Sequence, residues 1–164
     1  MGQLVFQAAL GGQTNLVGGN TASTYNLNVP TANDTLVGRD TTDTLTNKTL
    51  TTPAITNPTV TNYVETPYSA NSSTAITLSL ANGTVQIITL TGNATITMPT
   101  AVSGKSFIMF LKQDGTGSRT VTWSTVVWPG GTAPTITSTA SKQDIYSFFS
   151  DGTNWYGVTV GQNY

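Results

Sequence analysis

From residue 67 onward the chain reads as short apolar runs cut by turn residues. Strand candidates are 74–80 (TAITLSL), 84–90 (TVQIITL), 94–98 (ATITM), 105–111 (KSFIMFL), 119–124 (RTVTWS), 134–138 (PTITS), 144–150 (DIYSFFS) and 153–160 (TNWYGVTV). Several alternate apolar and polar positions, the period of a half-buried strand. Between them lie Asn82-Gly83, Gly92-Asn93, Ser103-Gly104, Asp114-Gly115, Pro129-Gly130-Gly131 and Asp151-Gly152, all turn formers. Many short strands and no long helical periodicity predict an all-β, antiparallel, jelly-roll-like sandwich over 67–164. Asp151-Gly152, between two aromatic-rich strands, is the strongest hairpin signal.

Residues 45–66 follow another rhythm. Leu45, Leu50, Ile55 and Val60 fall five apart, and each is followed by Thr and then by Asn or Thr. Pro53 and Pro58 share one phase of this pentad, which excludes a helix interior or a central strand. The segment should be extended. One extended strand cannot bury a single apolar residue in every five, but several copies wound about an axis can. The pattern therefore predicts a thin shaft, with threefold symmetry the natural arrangement and a solvated linker the alternative.

Residues 1–44 are rich in Gly, Asn and Thr, with short strand candidates at 3–10, 25–29 and 35–37. Phe6 and Tyr25 are the aromatics of this zone, too few large side chains for a core of its own. Leu4, Phe6, Leu27 and Val29 are the expected anchors of an N-terminal β-arm resting on another protein surface, by strand addition. The resulting division is arm 1–44, shaft 45–66 and knob 67–164.

Composition strengthens the β reading and narrows the chemistry. Thr supplies 34 of the 164 residues, and its β-branched side chain favours strands. Charged residues make up 8% and the net charge is −1, which argues against nucleic acid as a partner. The chain has no His and no Cys, so His-based catalysis, disulfides and thiolate metal sites are excluded. No apolar run reaches the ~18–20 residues that span a bilayer, and the amino end lacks the pattern of a secretory signal. No cofactor, catalytic or metal site is expected. The carboxylates form no evident acid/base pair of the glycosidase kind. Asp114-Gly115-Thr116-Gly117-Ser118 lacks the ligand set of a calcium loop and reads as a tight turn.

Several stretches carry a resemblance. The run from Thr41 to Ile55 (TTDTLTNKTLTTPAI) resembles a linker of tailed-bacteriophage fibre and virion structural proteins, and 11–30 with 35–49 is similar to their amino ends. The stretches 113–123 (QDGTGSRTVTW), 126–137 (VVWPGGTAPTIT) and 144–157 (DIYSFFSDGTNWYG) resemble small β-rich knobs at phage fibre tips. The resemblance implies a homotrimeric, non-enzymatic virion protein, assembled in the host cytoplasm and bound to capsid or other virion proteins. Tail fibres are usually much longer, so a chain of this length fits a head decoration, cement protein or head fibre. The alternative is a tail-fibre tip that recognises a host surface polysaccharide. Trp128, Trp155 and Tyr156, beside amide and hydroxyl groups, are then the candidate glycan contacts. Strand alternation requires one of Trp155 and Tyr156 to point inward and the other outward.

Overall fold

The computed structural model describes residues 44–164, and the chain divides between Ile55 and Thr56. The expected arm strands and the anchors Leu4, Phe6, Leu27 and Val29 lie outside the described residues.

The pentad appears in the backbone. Before the division, Asn47 and Thr52 adopt left-handed conformations with φ of 54° and 48°. After it, Asn57 and Asn62 do the same, at 51° and 55°. These are the third positions of four successive pentads. A left-handed residue strains L-amino acids, and Asn tolerates it best after Gly, which accounts for Asn at three of the four positions. The segment is thus not simply extended. It is interrupted at every fifth residue, so that each repeat takes the same turn. Leu45, Leu50, Ile55 and Val60 are 48%, 57%, 60% and 61% exposed in the single chain.

The knob contains β1 (Tyr68–Asn71), β2 (Ala75–Thr77), β3 (Val85–Leu90), β4 (Ala94–Thr97), β5 (Ser106–Gln113), β6 (Val121–Ser124), β7 (Val126–Val127), β8 (Gln143–Ser150) and β9 (Trp155–Gly161). A six-stranded sheet has the order β1-β3-β5-β8-β9-β7, and a three-stranded sheet the order β2-β4-β6. Successive strands from β1 to β6 therefore alternate between sheets. Among the described residues, five of the seven strand pairings are parallel and two, β5 with β8 and β8 with β9, are antiparallel.

The all-β reading holds, antiparallel elements included, and the Asp151-Gly152 hairpin joins β8 to β9. The jelly-roll connectivity is corrected. β1 to β6 form an arched, solenoid-like winding closed by an antiparallel hairpin. Turn formers mark where the chain changes direction, but not whether it returns beside itself or crosses to a facing sheet. Here Asn82-Gly83 and Gly92-Asn93 carry the crossings. Gly83 has φ of 139°, and a Cβ there would lie 2.5 Å from the Thr66 carbonyl oxygen. Ser72 stabilises the arch between β1 and β2, its Oγ accepting the Thr91 N–H at 3.3 Å. The segment 134–138 is not a strand, although Ile136 packs on the core.

The inward residues of the two sheets form one core. Ala94 and Ile96 of the small sheet meet Ile88, Leu90, Met109, Leu111, Tyr146 and Phe148 of the large one. Phe107 stacks on Phe148 with ring centroids 4.7 Å apart, and Trp155 meets the edge of Phe107 at 5.2 Å. Burying each such side chain is worth about 1.5–3 kcal/mol. Gly157 faces this core. A Cβ there would sit 2.7 Å from Trp128 Cζ3 and 2.9 Å from Phe148 Cε1, so the glycine makes room for the indole.

Candidate functional site

The two outer faces of the knob differ sharply. The small sheet turns Ala75, Thr77, Thr95, Thr97 and Thr122 outward, all exposed. These short, largely hydroxyl-bearing side chains hydrate easily. The large sheet turns aliphatic and aromatic residues outward. One cross-strand row is Val85, Ile108, Ser147 and Val158; the next is Ile87, Phe110 and Ile145. The third is Ser106, Phe149 and Tyr156. All the apolar members of these rows keep solvent exposure.

The three aromatic candidates separate according to strand alternation. Trp155 is 2% exposed and donates its indole N–H to the Pro99 carbonyl at 2.7 Å. Trp128 is 6% exposed and lies against Trp123, with centroids 5.2 Å apart. Both rings belong to the core, which corrects their reading as glycan contacts: a sugar would find no indole face. Tyr156 points outward, as alternation requires. It stacks on Phe149 at 5.8 Å with an interplanar angle of 15°, and Phe149 is 49% exposed. Sequence reasoning missed Phe149, although Phe148-Phe149 in a strand signals one ring inward and one outward.

The β8–β9 turn holds this pair in place. Asp151 Oδ1 accepts the Thr153 and Asn154 N–H groups, each at 2.8 Å, and Oδ2 accepts the Tyr156 hydroxyl at 2.9 Å. The backbone donors Asn154 and Thr153, then the Tyr156 hydroxyl, hold the Asp151 carboxyl down at about 2. The same bond, with the neighbouring negative charge, raises the Tyr156 phenol. The corner is therefore two stacked rings fixed beside a carboxylate.

The other carboxylates of the knob are engaged by the fold. Asp114 Oδ2 takes two bonds from Arg119, at 3.1 and 2.8 Å, while Oδ1 accepts the Thr116 and Gly117 N–H groups. The Arg119 bond is the main cause holding its carboxyl below the usual range. Gly117, at φ of 72°, leaves a Cβ only 2.7 Å from the Ser138 carbonyl oxygen and from Ala140 N. The loop is thus a closed turn packed on a neighbouring segment. Asp144 is buried and accepts from Thr137, Tyr146, Gln162 and Asn163. Among the described residues, no group of three or more His, Cys, Asp or Glu is placed to hold a metal ion, and no helix is long and apolar enough to cross a membrane.

No curated protein and no solved structure matches the chain. Residues 16–155 match the model of a family described as "Putative phage tail fibre C-terminal domain". The match covers the pentad, the winding of β1 to β7 and the β8–β9 hairpin as far as Trp155. The chain belongs to this phage tail fibre family and is a structural component of a tailed-phage virion.

Proposed function

We propose that the chain forms a homotrimeric, non-enzymatic fibre module, in which a pentad shaft carries the β knob. One observation carries this reading. Four apolar side chains spaced by five remain about half exposed or more in the single chain, while the backbone at the same spacing repeats a left-handed turn. A regular backbone that leaves these evenly spaced apolar residues in water is completed by identical neighbours. Leu45, Leu50, Ile55 and Val60 would then each be covered by the same residue of two neighbouring copies. Sedimentation should give three times 17.2 kDa, and replacing Ile55 and Val60 with Asp should lower that mass. A monomeric wild-type protein would overturn the reading.

The family favours a place on a tail fibre over the head decoration expected from chain length. Gold-labelled antibody on intact virions distinguishes the two. In either place the arm would bind virion proteins through Leu4, Phe6, Leu27 and Val29.

Recognition of a host surface polysaccharide is favoured by the Phe149–Tyr156 stack beside Asp151. Sugars bind such faces through their apolar C–H surfaces, with hydroxyls bonded to a carboxylate or an amide. Glycan-array binding that is lost in Phe149→Ala but kept in Thr97→Ala supports this role. Binding unaffected by Phe149→Ala refutes it.

A further inference from the structure

We infer that a groove between two successive arches of the winding is a subsite for an acidic sugar residue, one that carries a carboxylate. The inference rests on the polysaccharide reading above and names the class of glycan that the knob takes.

The groove lies where the small sheet hands the chain back to the large one. One wall is the arch from β2 to β3, the other the arch from β4 to β5. It encloses about 500 Å³, within the range of small-ligand pockets. The buried Leu78 and Met98, with Leu80 and Val102, give it an apolar lining. Thr77, Ser79 and Thr100 bring hydroxyls, and Lys105 is the one charged residue among those that line it. An acidic pyranose has the matching parts: an apolar C–H face, a rim of hydroxyls and one negative charge. A purely apolar ligand would leave the hydroxyls and the ammonium without partners, and a neutral sugar would leave the ammonium without one.

The walls are fixed by the protein's own bonds. Gln86, with no exposed surface, donates its side-chain amide to the Ser79 carbonyl at 3.3 Å and to the Gly83 carbonyl. The Leu78 N–H donates to the Thr97 carbonyl at 2.9 Å, and Trp155 holds the Pro99 carbonyl. A site already shaped in this way loses little freedom on binding. Its charge is also at hand. Lys105 is exposed and takes part in no ion pair among the described residues. Glu65 and Arg119, which line other grooves, are instead engaged by Thr84 and Asp114.

The groove adjoins the aromatic corner. The 102–105 turn that lines it also packs on the β8–β9 turn. The Gly104 N–H donates to the Ser150 carbonyl at 3.0 Å, the Ser150 N–H to the Lys105 carbonyl at 2.9 Å, and a Cβ on Gly152 would lie 3.2 Å from Ser103 Cβ. The two neighbouring places carry opposite charges. Asp151 beside the Phe149–Tyr156 stack repels a carboxylate, and Lys105 attracts one. A polymer in which acidic and neutral residues adjoin satisfies both.

The test uses the full chain on surfaces bearing uronate-containing capsular oligosaccharides, each beside its carboxyl-reduced form, with neutral and phosphorylated glycans included. Circular dichroism checks folding. The wild type should bind uronate members about fivefold more tightly than their reduced forms, the scale of an exposed ion pair. Raising salt from ~50 to ~500 mM should remove that preference. Lys105→Gln should lose it and Lys105→Arg should keep it. Val102 is 51% exposed, and Val102→Asp should lower uronate binding to or below that of the reduced form. Equal binding of both forms by the wild type, or a preference unchanged in Lys105→Gln and Val102→Asp, overturns the acidic subsite and leaves Phe149-dependent recognition standing. A preference for phosphorylated members over uronates overturns the carboxylate. Binding to no glycan overturns both readings.

Discussion

Asp144 offers the sharpest test of how the knob is held together. Its carboxylate is buried, has no cationic partner among the described residues, and takes four donors. Oδ2 accepts the Thr137 N–H at 2.7 Å, the Tyr146 hydroxyl at 3.2 Å and the Gln162 amide at 3.2 Å, while Oδ1 accepts the Asn163 N–H at 3.0 Å. It thus fastens both the 134–138 segment and the C-terminal residues to β8. In Asp144→Asn, the best orientation keeps the amide oxygen in the Oδ2 place. The amide NH2 then faces the Asn163 N–H, donor against donor. One part-buried backbone donor is orphaned, and three charge-assisted bonds become neutral ones. An orphaned donor costs about 1–3 kcal/mol and charge-assisted bonds are roughly twice as strong as neutral ones, so a loss of about 2–4 kcal/mol is expected. At ~4–8 °C per kcal/mol for a domain of this size, Tm should fall by roughly 10–25 °C.

The pH dependence gives a second reading of the same contact. Burial alone would raise the Asp144 carboxyl, but the bonds from Thr137, Asn163 and Gln162 outweigh it and the net value lies below the ordinary 3.8. A lowered folded value means that this stabilisation is complete above the unfolded value and is lost as pH falls through the folded one. The gap between wild type and Asp144→Asn should therefore be widest near neutrality and narrow below about pH 4. Urea titrations at pH 7, 5 and 3 measure it. A variant within about 0.5 kcal/mol of wild type at pH 7, or a gap that does not change with pH, would refute the reasoning.

Other outcomes follow from the same geometry. Gly157→Val should destabilise the knob by about 1–3 kcal/mol, because its Cβ meets the Trp128 and Phe148 rings; a thermal midpoint equal to that of wild type contradicts the packing. The Asp151 carboxyl should titrate at about 2 by carbon NMR, and in Tyr156→Phe its midpoint should rise, since one donor is removed. Replacing both Phe6 and Leu27 with Asp should abolish co-sedimentation with undecorated particles while circular dichroism of the knob is retained; binding at wild-type occupancy would move the anchor elsewhere.

Local chemistry made much of this protein legible from its sequence. The β-branched residues, the two-residue alternation and the scarcity of helix formers all point to one class, and the structure is all-β. The Asp151-Gly152 turn is a contact between neighbours in sequence, so its hairpin could be read directly. The pentad was visible as a repeat. The reason for its Asn positions came only with the backbone, where each occupies the left-handed region.

What the tertiary structure decided is where distant segments meet. The arches of β1 to β6 use the same turn residues as hairpins, so parallel pairing such as Val85 with Ile108 depends on which sheet the chain reaches next. Trp128, in a stretch rich in turn formers, is buried because Gly157, almost thirty residues later, leaves space for its ring. Tyr156 and Phe149 meet on the surface because β8 and β9 pair in one register; a shift of one residue would exchange them for Trp155 and Phe148. The contrast between a threonine face and an apolar face likewise exists only once the winding has sorted alternate residues of nine strands onto two sheets.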